Sequence, residues 1–343
     1  MTRTSPFNRS ARAVVAAAIV TVTGPAECAA QPPPEPGGGI DLAVARLLDV
    51  AEVRAVVVAG MDGVELQRYR TPSDSGPHNI KSASKSLVAL LAGIAIERGV
   101  VHGLDAPVSH LLPGYRETIE GRLRDDLTLG HLLTMTAGLE TTSGDAYGAW
   151  VATADWVRTA LTRPAVAPPG ERFIYSTGNT HVAAAALAGA LDADLAVWAR
   201  SVLFAPLGIT DVRWSRSPTG RVFGGNNLAM RPADLARIAS LVAAGGRWAG
   251  QQIVSADWIE ASARRHAAGW PDRYGAYGIG WWLPASGGML AVGYGGQFLL
   301  VDPELEGAVV VTSTLDGKDP AWDRDVLDRM RAVLDARGHS TGG

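Results

Sequence analysis

Strand-like sequence lies at the two ends of this chain and helix-like sequence fills its middle, an order that few folds can accommodate. Near the front, "VRAVVVAG" (Val53 to Gly60) reads as a strand, and "VELQRYR" pairs back across the Met61-Asp62-Gly63 turn. The C-terminal third turns to strands again, in "YGIGWWLP", "GMLAVGYGGQFLLVDP" and "EGAVVVTST". Between them, Thr128 to Leu139, Val151 to Arg163, the Ala-rich run ending at Leu191, "MRPADLARIASLVAAGG" and "SADWIEASAR" have helical periodicity. Helices are also expected before the first strand ("IDLAVARLLDV") and at the end ("PAWDRDVLDRMRAVLDAR"). Strands and helices do not alternate, which disfavours a doubly wound parallel sheet. The order predicts an α+β fold: one antiparallel sheet joined from both ends and flanked by helices, with an all-helical lobe.

The N-terminus reads separately. Arg3, Arg9 and Arg12 precede the apolar run Ala13 to Gly24, and "CAA" offers small residues for cleavage after Ala30. That is the layout of a secretory leader over residues 1–30, and the run is too short for a spanning helix. Cleavage would remove Cys28, the only cysteine, and "PAEC" lacks the Leu that lipoprotein leaders carry before their cysteine. Residues 31–39, "QPPPEPGGG", read as a flexible linker, and residues 40–338 as the folded domain. The mature chain is therefore expected to be exported, to the periplasm or the medium. A net charge of −3 over 343 residues gives no reason to expect a nucleic-acid partner.

The most informative helix starts in "HNIKSASKSLVALLAGIAIERGV", His78 to Val100. It is apolar on nearly every side, yet three serines and two lysines crowd its entrance. Ser82 and Lys85 stand three apart, a spacing that puts both side chains on one helix face. A serine hydroxyl needs an adjacent base to act as a nucleophile. A lysine can be that base once burial lowers its pKa, and the apolar remainder of the helix would bury it. Free N–H groups at the helix start would favour an oxyanion near Ser82. A capping serine followed by a solvated lysine has the same spacing, so the pair alone does not decide. Lys81, adjacent to Ser82, faces elsewhere.

Two further stretches add to it. In "FIYSTGN" (Phe173 to Asn179), Tyr175 at a loop-to-helix junction could hold a phenol near the nucleophile, or simply be a buried structural tyrosine. In "GYGGQF" (Gly293 to Phe298), glycines interrupt a strand pattern, as at a β-bulge or at an edge whose bare backbone meets a substrate. Rival constellations are missing. There is no G-x-S-x-G elbow, since "LPASGG" has Pro284 in the first glycine's place, and the seven histidines lack ligand spacing. No dinucleotide or Walker glycine pattern occurs, and neither metal nor cofactor is expected.

S-x-x-K, a tyrosine motif and a Gly-rich strand, in this order, form the layout of penicillin-recognising serine enzymes. From about Val53 to Leu334 the chain resembles the class C β-lactamase-related serine hydrolases, above all the branch of 6-aminohexanoate-dimer hydrolases and carboxylesterases. Supporting stretches include "LTLGHLLTMTAGLE", "LFAPLGITDVRW", "NLAMRPADLARIASL" and "GQQIVSADWI". The resemblance implies Ser82 as the acylated nucleophile, Lys85 as its base and Tyr175 in proton transfer. It implies an oxyanion hole from the N–H groups of Ser82 and Gln297, and substrate contacts from Thr177, Tyr294, Gly295 and Gly296. Thr177 stands where class C enzymes carry Asn, and Tyr294 where they carry Lys. Both departures weaken the expectation of β-lactam hydrolysis. What the resemblance implies is acyl transfer on a small-molecule ester or amide. A true β-lactamase, a D-amino-acid peptidase and a catalytically silent binding domain are the competing readings.

Overall fold

The computed structural model describes residues 39–120, 126–317 and 319–341. The leader and Cys28 lie outside them, as does the linker up to residue 38. Gly39, expected as the last linker residue, is instead the first residue of helix α1, Gly39–Leu48.

The sheet has eight strands. They are β1 (Val53–Gly60), β2 (Gly63–Tyr69), β3 (Ala267–Trp270), β4 (Gly275–Tyr277), β5 (Trp282–Leu283), β6 (Met289–Gly293), β7 (Gln297–Asp302) and β8 (Gly307–Ser313). Their spatial order is β2-β1-β8-β7-β6-β5-β4-β3, with every neighbouring pair antiparallel. Strands from the two ends of the chain meet one strand in from an edge of the sheet, where Val57 faces Val310 across the β1–β8 ladder.

The central strands are apolar at successive positions because the sheet is covered on both faces. Val57, Ala59, Leu299, Val301 and Val310 point into the larger core. That core takes in α2 (Ser84–Glu97), α3 (Thr177–Leu191) and α4 (Pro232–Ala243). Val56, Val58, Phe298, Leu300 and Val309 point the other way, against Val44 and Leu47 of α1 and Val326, Met330 and Val333 of α5 (Pro320–Thr341). The period of two in a strand thus divides one run of residues between two cores.

Helix α2 is buried from Ser84 to Ala95, as its all-round apolar pattern requires. Its crowded entrance resolves into separate roles. Ser86 Oγ donates to the Gly280 carbonyl at 2.7 Å, a packing bond, and Lys81 stays half-buried. Several expected elements are shorter than their patterns. The run from Thr128 is helical only over Leu129–Leu133, and that from Val151 breaks into Ala146–Val151 and Trp156–Leu161. "GMLAVGYGGQFLLVDP" is not one strand: Gly295 and Gly296, at φ 79° and 75°, turn the chain between β6 and β7. Two consecutive left-handed residues suit glycine and break a strand, which alternation of apolar residues could not reveal. Among the described residues, no single helix is long and apolar enough to cross a membrane.

Candidate active site

Ser82 sits in a single 3₁₀ turn, Lys81–Ala83, that leads into α2. Lys81 enters that turn in the left-handed region, at φ 53°, a strained conformation for a residue with a side chain. The turn is held from both sides. The Ile80 N–H donates to the Leu228 carbonyl at 2.9 Å, and the Lys81 N–H donates to Asn79 Oδ1 at 2.9 Å. Against it runs the end of β6, so close that a Cβ on Gly293 would collide with the Ile80 carbonyl. This close approach accounts for a glycine at 293.

One helical turn on, Lys85 is 2% exposed. Its Nζ lies 3.1 Å from Ser82 Oγ, 3.4 Å from Thr177 Oγ1 and 2.5 Å from the Gly225 carbonyl. Burial lowers its pKa from 10.5 to about 7, because the charged form loses its water. The same ammonium lies 5.1 Å from the centroid of the Tyr175 ring. Tyr175 precedes α3 by two residues and is tied there by its carbonyl, which accepts from Thr141 Oγ1 at 2.7 Å. Burial pushes its phenol up to about 12, and a hydrogen bond to Ser82 partly offsets the rise. A phenol held that far above neutrality stays protonated and can only pass a proton on, not hold a negative charge for long.

Thr177 opens α3 and links this group to the next. Its hydroxyl lies 2.8 Å from Ser143 Oγ, and its N–H donates to the same oxygen at 2.8 Å. Ser82, Tyr175, Thr177, Tyr294, Gly295 and Gly296 all line one pocket of about 670 Å³, with Lys85 behind Ser82. Gln297 is placed differently. It is not on the pocket wall; it pairs with Gly293 across the hairpin, and its buried side chain donates to the Gly295 and Ser313 carbonyls at 2.9 and 2.8 Å. Its side chain therefore braces the Gly-rich turn from behind.

Other contributors carried no sequence signal strong enough to single them out. Gly225 lies in "GGNN", where paired glycines were a hint, and Ser143 is a lone hydroxyl in a loop. The pocket's far wall is aromatic. Trp270 and Trp282 stack at 4.9 Å, and Tyr175 lies 5.2 and 5.7 Å from them. Among the described residues no group of His, Cys, Asp or Glu could hold a metal ion.

Residues 43–333 match the family described as Beta-lactamase, which spans the sheet, both cores and the whole pocket. The chain belongs to the β-lactamase family. Solved structures of similar fold include a candidate 6-aminohexanoate-dimer hydrolase from Bacillus anthracis. It is 21% identical with a TM-score of 0.72, over 87% of this chain and 82% of that one. A β-lactamase from Mycobacterium bovis is 24% identical (TM-score 0.61, 84% and 99% covered). Unliganded simvastatin synthase from Aspergillus terreus is 17% identical (TM-score 0.67, 89% and 98%). No curated protein gives a significant match. In this β-lactamase-family chain, the expected fold and the expected relatives both hold.

Proposed function

We propose that this protein is a serine hydrolase that cleaves ester or amide bonds of small molecules through an acyl-enzyme on Ser82. The observation that carries the reading is Lys85: an amine 3.1 Å from the serine hydroxyl, buried, with its pKa brought to about 7. A neutral amine has two N–H donors and one lone pair. Gly225 and Thr177 offer acceptors for the two donors, which leaves the lone pair for the Ser82 proton. As Ser82 Oγ bonds to the substrate carbonyl carbon, its proton passes to Lys85. The carbonyl becomes an oxyanion, for which the N–H groups of Ser82 and of the 293–297 hairpin are the proposed donors. Collapse breaks the ester or amide bond, and the proton leaves with the alcohol or amine through Tyr175. Water then attacks the acyl carbon, and Ser82 is released with a carboxylic acid.

The pocket argues for esters and simple amides over β-lactams. Tyr294, half exposed on the wall, is a neutral phenol where class C enzymes set a lysine. Charge-assisted hydrogen bonds are about twice as strong as neutral ones, so a lactam's carboxylate is held less well there. A fluorophosphonate probe tests the reading. It should label the protein once, at Ser82, and Ser82→Ala should take up no label and lose ester turnover by orders of magnitude, on the order of 10⁶ in a serine-based case. Labelling elsewhere, or an alanine variant with a tenth of the original turnover, would refute it.

A further inference from the structure

The aromatic wall has an uneven exposure. Trp282 is 3% exposed and packs into the smaller core, but Trp270, stacked on it, is 41% exposed and opens onto the pocket beside Tyr175. A large apolar ring left half in water in a pocket beside a reactive serine marks a contact surface rather than a packing accident. The ring is also held still. Trp270 ends β3 in a hairpin whose Arg273 donates to Asp323 Oδ2 on α5 at 2.5 Å, and Tyr274 OH donates to the same oxygen at 2.5 Å. Phe173 meets Trp270 edge-on at 6.3 Å and braces the ring. The exposed part of the Trp270 ring is thus preformed, and little ordering is needed when a ligand lies on it.

Charge selects the kind of ligand. A box of rings can receive a cation, but the cations lining this pocket are Lys81 and Arg273. Asp323, the carboxylate in the lining, is already bonded to Arg273 and Tyr274. A quaternary ammonium would enter against positive charge. A planar uncharged ring would not.

Resting on the hydrolase reading above, we propose that the exposed part of the Trp270 ring is a stacking subsite for a planar aromatic group on the leaving-group side of the substrate, next to Tyr175, which makes the preferred substrates esters or amides of arylalkyl alcohols or amines. Planarity, and not size, is what stacking reads, so matched esters separate it from simple burial. Hydrolysis of benzyl acetate and cyclohexylmethyl acetate is followed by acid release. The wild-type protein should prefer the benzyl ester in kcat/KM by roughly three- to tenfold, the scale of an aromatic pair beyond area burial. Trp270→Ala should bring that ratio close to one, and Trp270→Phe should keep most of it. Because a ratio is read, a general loss from disturbing the hairpin cancels.

A second readout needs no turnover. Calorimetric binding of benzyl alcohol and cyclohexylmethanol to Ser82→Ala protein should show the same preference, lost on adding Trp270→Ala. If neither ester is hydrolysed but the binding preference holds, the hydrolase reading fails and the subsite stands. If Ser82 hydrolyses both esters and neither readout prefers phenyl, or Trp270→Ala leaves the preference within twofold of wild type, the subsite is overturned alone.

Discussion

Lys85 and His181 are both buried basic groups on helices of the same core, and burial lowers the pKa of both. Lys85 falls to about 7 and His181, which is fully buried, to about 4. Their surroundings differ. Lys85 is ringed by three oxygens, one of them the Ser82 hydroxyl at the pocket floor. His181 is ringed by Trp150, Trp156 and Phe223, at centroid distances of 5.9, 5.5 and 5.8 Å. A displaced pKa therefore marks burial in both places and, on the proposed function, chemistry in only one. What separates them is a nucleophile within reach and a path to the substrate.

Breaking the pair should show this in two different observables. The largest effect is expected at the lysine end. Lys85→Ala and Tyr175→Phe should each lower kcat about 10²- to 10⁴-fold, the range of general acid–base catalysis. The double variant should be little worse than either single one, because a proton relay fails as a unit. Steady-state kinetics on one ester decides it, and fully additive losses would make one of the two merely structural.

At the histidine end the effect should fall on stability. The folded pKa lies below the unfolded value of 6.5, so the unfolded chain takes up the proton first. His181 therefore costs stability as pH falls from about 6.5 towards 4, by roughly 3 kcal/mol at most. His181→Leu should flatten that part of the denaturation-midpoint profile and change kcat by less than a few-fold. A collapse of turnover in a folded His181→Leu protein would erase the distinction between the two groups.

The same contrast explains how much could be read from the sequence. Ser82 and Lys85 were legible because their relation is local: three residues of helix fix their facing sides. Tyr175 was a weak local candidate and Thr177 none, and both became legible through the family's motif order, since nothing local says that the start of α3 meets the start of α2. The sheet was legible from short, β-branched-rich apolar runs at both ends of the chain. The turn at Tyr294–Gly296 and the placement of Gln297 behind it were not, because register depends on two left-handed glycines and not on hydrophobicity. Gly225 and Ser143 reach the pocket from loops, and Trp270 from the end of β3, along paths set by tertiary contacts. His181, conversely, looks in sequence like any polar residue of an Ala-rich helix, and only the three rings around it explain its burial.

The central claim is that Lys85 is neutral near pH 7 and takes the Ser82 proton. The most direct measurement is the second-order rate of fluorophosphonate labelling of Ser82 from pH 5 to 10, which needs no knowledge of the substrate. Only the deprotonated amine can act as the base, so the rate should rise with pH, with a midpoint near 7, and level off above it. Tyr175, raised to about 12, should add no inflection in that range. A midpoint near 10, the value of an ordinary solvated lysine, or a rate independent of pH, would contradict the account.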